Sequence, residues 1–222
     1  MKYRLVQAIL VIAISAAIVG TATDSLTWQI TVNAVNTENI TFSPDVNPIG
    51  ETVNETINFS VTVGDGYNVS MVKWYLNDTE LHADTNVTTS SDYSVTFDEI
   101  GTYEVKCEIY LEGQSNPLTS HTWTVYVANE LNITNYSPEE LTKTVYVYDG
   151  ETKFMEFSAT SNIPCWHVWN ITKNGEVVYT RSYYRPYCSL STNYTSHIVY
   201  YFSPGVYNVT LELKKWDMWN GS

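Results

Sequence analysis

Apolar and polar residues alternate with a period of two through most of this chain. Val72, Trp74 and Leu76 fall on one face; so do Tyr103, Val105, Cys107, Ile109 and Leu111, and again Tyr207, Val209, Leu211 and Leu213. Alternation of this kind, rich in Val, Thr and Tyr, predicts half-buried antiparallel strands. Turn signals punctuate the runs at Gly64-Asp65-Gly66, Asn77-Asp78, Lys173-Asn174-Gly175 and Ser203-Pro204-Gly205. Beyond the N-terminal segment no stretch carries a helical period.

The strands come in two similar sets. TINFSVTV (56–63) is matched by FMEFSAT (154–160), VKWYLNDTEL (72–81) by HVWNITKNGEV (167–177), GTYEVKCEIYL (101–111) by GVYNVTLELKK (205–215), and NITFSP (39–44) by NITNYSP (132–138). Trp74 thus stands opposite Trp169, a separation of 169 − 74 = 95, whereas Gly101 and Gly205 are 205 − 101 = 104 apart. The second copy therefore holds about nine extra residues between its Trp and its Gly. Seven short strands in about 90 residues, with one Trp on a central strand, describe an immunoglobulin-like sandwich. Cys107 has no strand partner for the immunoglobulin disulfide, and Leu211 takes its place in the second copy, so a buried free thiol is expected.

Trp74-Tyr75-Leu76-Asn77, then YSVTFDEIGTYEV (93–105), then TWTVYV (122–127), resemble the PKD-like/immunoglobulin-like repeats of archaeal cell-surface proteins. The resemblance spans roughly residues 27 to 222. It implies an extracellular β-sandwich module used for spacing, assembly or adhesion, with no catalytic residue. Neither copy has the WDFGDG-type loop of the typical PKD domain. The expected class is all-β: two tandem immunoglobulin-like (PKD-like) sandwiches after a signal peptide. Its expected parts are a signal peptide at 1–22, an N-terminal strand at 23–38, and domains at 39–128 and 129–222.

Lys2 and Arg4 precede an apolar run from Leu5 to Val19, and Gly20-Thr21-Ala22 offers a small-x-small cleavage site. This reads as a secretory signal cut near Ala22, with an uncleaved membrane anchor as the alternative. Without Lys2 and Arg4 the basic residues number 11 − 2 = 9 against 24 acidic, a net charge of −15. That balance repels nucleic acid. Twelve of the 19 asparagines head an Asn-x-Ser/Thr triplet: Asn39, Asn54, Asn58, Asn68, Asn77, Asn86, Asn132, Asn135, Asn170, Asn193, Asn208 and Asn220. With 47 Ser and Thr in 222 residues, chance would supply about four, so a densely N-glycosylated exported surface is expected.

The opening of the mature chain repeats a piece of its interior. SLTWQITV (25–32) copies SHTWTVYV (120–127), so Thr27, Trp28, Ile30 and Val32 hold the places of Thr122, Trp123, Val125 and Val127. In the first copy the closing strand reaches its Trp 123 − 101 = 22 residues after Gly101; the same step from Gly205 leads to 227, past Ser222. The second sandwich is expected to lack its last strand, while a strand of that pattern sits spare at the other end. Open sheet edges invite strand addition. Head-to-tail donor-strand exchange into an open-ended filament follows as the sharper expectation, with Trp28 as its anchor. The alternatives are a monomeric or anchored binding module acting on other surface proteins or glycans, and a piece of a longer repeat array.

The extra residues of the second copy lie in YTRSYYRPYCSLSTNY (179–194). Tyr183, Tyr184, Arg185 and Tyr187 suit a contact loop for protein or sugar, or a cover for the sandwich edge. Cys165 and Cys188 have no counterparts in the first copy and make the best disulfide pair, with Cys107 a possible alternative partner. No metal-ligand spacing links His82, His121, His167 and His197, and neither phosphate loop nor nucleophile elbow occurs, so no enzyme, cofactor or metal is expected. Asp65, Asp78, Asp84, Asp98 and Glu99 read as solvated turn acids rather than a calcium site.

Overall fold

A computed structural model describes residues 37–64, 66–185 and 194–218. The first sandwich sets one sheet of β1 (Ile40–Ser43), β3 (Thr56–Val63) and β6 (Ser90–Thr96) against another. The second sheet runs β2 (Ile49–Thr52), β8 (Thr119–Ala128), β7 (Gly101–Leu111), β4 (Val69–Leu76), β5 (Thr79–Thr85). All neighbours are antiparallel except β2 and β8, which run parallel. The period-two faces turn inward as expected: Phe59, Val72, Trp74, Val105, Cys107, Ile109, Trp123 and Val125 are buried. Trp74 and Trp123 stack with centroids 6.2 Å apart, and Phe59 tilts onto Trp123 at 5.0 Å. Residues 37–39 make a short 3-10 turn, not the end of a strand, and 23–36 lie outside the described residues.

The second sandwich repeats this plan with fewer strands among the described residues. One sheet is β9 (Ile133–Ser137), β10 (Lys153–Ser161), β13 (Tyr194–Phe202); the other is β12 (Glu176–Arg185), β11 (Cys165–Lys173), β14 (Tyr207–Lys214). Trp74 on β4 donates its Nε1–H to Ser91 Oγ on β6 at 2.8 Å, and Trp169 on β11 donates to Ser196 Oγ on β13 at the same distance. The two pairs are separated by 17 and 27 residues respectively. Part of that insertion lengthens β12 to 10 residues against 7 in β5.

The sandwiches meet at a tight joint. Lys215, just past β14, puts Nζ 2.7 Å from Glu51 Oε1 on β2 and 3.4 Å from Glu55 Oε1. Tyr184 donates its hydroxyl to the Pro48 carbonyl at 2.9 Å, and Tyr126 meets Tyr194 edge-on. Trp216 packs on the first core while its carbonyl accepts from Trp166 Nε1. Only glycine fits at position 50, because a Cβ there would sit 2.0 Å from the Pro164 oxygen. Ile40, paired with Val63, lies at the end of the first sandwich away from this joint. The ends carrying Lys153–Phe202 and Lys173–Tyr207 lie at the far side of the second.

Candidate functional site: an open slot in the second sandwich

In the first sandwich β7 is an interior strand, flanked by β4 and β8, with β2 beyond. Its counterpart β14 pairs with β11 alone among the described residues. The contrast shows side chain by side chain. Val105, Cys107 and Ile109, between β4 and β8, are fully buried, whereas Val209, Leu211 and Leu213 are only half-buried. Among the described residues no strand pairs with the opposite edge of β14.

Where β8 lies in the first sandwich, the second holds a cavity of about 740 Å³. Trp169, Phe157 and Ala159 form its floor, and Tyr207, Val209 and Leu211 its β14 wall. Opposite, Val145 and Val147 face in from an extended segment outside any sheet, while Tyr146 and Tyr148 point to solvent. At the far mouth Lys173 donates to Ser203 Oγ at 2.9 Å, and Ser203 shares a 2.9 Å hydrogen bond with Tyr207. The Ser203 contact, helped by the Lys173 charge, holds the Tyr207 phenol below its ordinary range.

The volume alone would suit a small molecule, but the boundary would not. A compact ligand leaves the edge of β14 unsatisfied. An extended strand with alternate apolar side chains supplies both the ladder and the filling.

The residues singled out from sequence are distributed as follows. Thr27, Trp28, Ile30, Val32, Tyr187, Cys188, Asn193, Asn220 and Asp65 lie outside the described residues. Tyr183, Tyr184 and Arg185 belong to β12 rather than to a loop. Tyr183 packs on the second core, and burial pushes the Tyr184 phenol above its ordinary range at the joint. Cys165 is a buried free thiol at the start of β11, and Cys188, the bridge partner expected for it, lies outside the described residues. Cys107 is the buried free thiol expected. Of the sequon asparagines described, Asn39, Asn54, Asn58, Asn68, Asn77, Asn86, Asn132, Asn135 and Asn208 are exposed and Asn170 is half-buried.

Two polar clusters have the residue types of hydrolytic sites but not their geometry. Ser91 donates to Asp84 at 2.6 Å while accepting from Trp74, and His82 contacts Asp84 rather than the serine. His167 bridges Ser196 at 2.7 Å and Ser161 at 3.0 Å inside the core. Among the described residues no group of three His, Cys, Asp or Glu is placed to hold a metal ion.

The signal for the slot's floor and β14 wall was plain in the repeat. The facing segment was missed, although TKTVYVY (142–148) alternates clearly.

No protein-family model matches the chain, and no curated protein matches it. Among solved structures it is similar to the fibronectin(III)-like modules of Clostridium thermocellum CbhA, at 17% identity, TM-score 0.41, over 80% of this chain and 86% of that one. A CARDB domain from Pyrococcus furiosus matches 40% of this chain and 86% of its own at 18% identity and TM-score 0.31. A protein from Corynebacterium diphtheriae, described as membrane anchored, aligns over 87% of this chain at 14% identity and TM-score 0.35; the chain spans 58% of its length.

Proposed function

We propose that this chain is a glycosylated extracellular structural subunit whose second sandwich takes a β-strand from a second copy, giving a head-to-tail filament. The observation that carries the reading is that β14, with its half-buried Tyr207, Val209 and Leu211, pairs with β11 alone among the described residues. The donor is residues 25–32, which carry the Trp-x-apolar-x-Val pattern of β8. Burying side chains such as Trp28, Ile30 and Val32 is worth about 1.5–3 kcal/mol each.

Spacing supports donation between copies. Trp123 precedes Asn132, at the entry to β9, by 132 − 123 = 9 residues, and Trp28 precedes Asn39, at the entry to β1, by 39 − 28 = 11. A strand seated in the slot would thus run out into a following sandwich much as β8 does. Donation within one chain fails on reach. From Val32 to Ile40 the chain extends roughly 28 Å, while β3 and β10, on opposite sides of the joint, span roughly 26 and 30 Å. The exposed sequon asparagines suit a glycan coat on the outer faces.

The test is deletion of residues 23–36 from the mature chain. Light scattering and electron microscopy should find filaments with the segment and monomers without it. Polymers that persist after deletion would overturn the reading, as would a full mature chain that stays monomeric at high concentration.

A further inference from the structure

The geometry points to a slot with two pairing edges: the incoming strand hydrogen-bonds antiparallel to β14 on one side and parallel to residues 145–148 on the other. This rests on the strand-acceptor reading above and specifies the receiving surface. At present residues 145–148 belong to no sheet, yet they hold the place of β2. The turn after β2 is closed by Glu55 N–H to the Thr52 carbonyl at 3.3 Å with Asn54 at φ 66°; the turn after Tyr148 is closed by Glu151 N–H to the Tyr148 carbonyl at 3.0 Å with Gly150 at φ 81°. That equivalence, 150 − 54 = 96, puts Val145 where Ile49 stands and Val147 where Glu51 stands.

In the first sandwich β2 has a partner because β8 lies between it and β7. Val125 pairs with Tyr103 on β7 and with Ile49 on β2; Val127 pairs with Gly101 and Glu51; Trp123 pairs with Val105. In the second sandwich the strand between is missing from the described residues, so the segment in the position of β2 has no ladder to join. Its side chains are already set for one, since Val145 and Val147 line the same cavity as Tyr207, Val209 and Leu211.

Transferring the pairings assigns a register. Trp28 lies beside Val209, Ile30 between Tyr207 and Val145, and Val32 between Gly205 and Val147. The sheet β12-β11-β14 then grows by two strands, the donor and residues 145–148, to match the five strands of its counterpart. An occupant held on both edges is an interior strand whose register is fixed twice. A shift by one residue would turn Trp28 out of the cavity and break both ladders.

The experiment uses the full mature chain carrying Trp28→Asp and Ile30→Asp, which cannot donate, and a synthetic peptide of residues 23–36 as the probe. Hydrogen exchange is read before and after peptide addition. The expected result is slowing of at least tenfold both at β14 amides and within residues 145–148. Slowing at β14 alone would overturn the two-edged slot while leaving strand acceptance intact. No slowing anywhere would overturn both. Val145→Pro and Tyr146→Pro give a second measure. N–H directions alternate along a strand, so one of the two removes a ladder donor, and neither residue pairs with a strand among the described residues. One of these variants should bind the peptide at least tenfold more weakly; equal binding by both would also overturn the inference.

Discussion

Lys215 Nζ lies 2.7 Å from Glu51 Oε1, and this ion pair ties the end of the second sandwich to β2 of the first. Glu51 is only 4% exposed, and its Oε1 accepts from the Thr52 N–H at 2.8 Å as well as facing the lysine. Lys215→Met should therefore lose about 3 kcal/mol, the lower end of the cost of breaking a buried pair. Adding Glu51→Gln should restore part of that loss, since it removes the stranded charge. Urea midpoints for the two variants test the coupling. Scattering profiles should show the joint loosening in the single variant.

Val105 and Val209 are equivalent by repeat but not by environment. Val105→Ala removes methyls from a sealed core and should cost about 2 kcal/mol. Val209→Ala acts on a half-buried wall and should cost well under 1 kcal/mol in the open chain. If strand exchange occurs, the same Val209 change should weaken the polymer more than it weakens the monomer. Denaturation of both forms gives the comparison.

Much of the fold could be read from the residues because sandwich strands leave a local mark. Each face of β7 and β14 alternates, and the matching Trp74 and Trp169 fix which strand is central. The apolar wall of β14 was legible for the same reason, since its alternation copies that of β7. What could not be read depends on contacts distant in sequence. Ser91 and Ser196 are two serines among 47 Ser and Thr, and only the packed sandwich shows them receiving the tryptophan N–H. The Tyr183–Arg185 run resembled a loop because tyrosine and arginine dominate contact surfaces, yet β12 pairs through it with β11. Val145 and Val147 gave a strand pattern that their own sheet does not use, since a strand needs a neighbour as well as a period.

Ser91→Ala leaves the buried Trp74 Nε1–H without its acceptor, at a cost of about 1–3 kcal/mol. Ser196→Ala should cost more, because both partners of Ser196 Oγ, Trp169 at 2.8 Å and His167 at 2.7 Å, are buried, whereas Asp84, the second partner of Ser91, keeps access to solvent and to His82. Thermal unfolding of the two variants should rank them in that order. Equal losses would mean that His167 gains nothing from this hydroxyl.

Burial pushes the Cys107 thiol up to about 12, so at pH 8 almost none of it is thiolate. A colorimetric thiol reagent should leave Cys107 unmodified in the native chain and label it once urea unfolds the first sandwich. Mass spectrometry of the Cys107 peptide reads the result. Labelling of the native chain as fast as of the unfolded one would mean that β7 opens readily.

His121 stacks on Phe42 at 4.7 Å and meets Trp123 edge-on at 4.4 Å, and burial lowers its basicity below the ordinary value of 6.5. The unfolded chain therefore takes up this proton at a higher pH than the folded one. Stability from the neutral ring is complete above pH 6.5 and declines as the pH falls from there toward the lower folded value. His121→Phe keeps an aromatic ring against Phe42 and removes the proton site. The urea midpoint of the parent should fall more between pH 7.5 and 5.5 than that of the variant. His82 beside Asp84 and His197 beside Glu156 are the same in both proteins, so the difference between the two profiles isolates His121. Identical pH profiles would show that the stacked ring accepts its proton without cost to the fold.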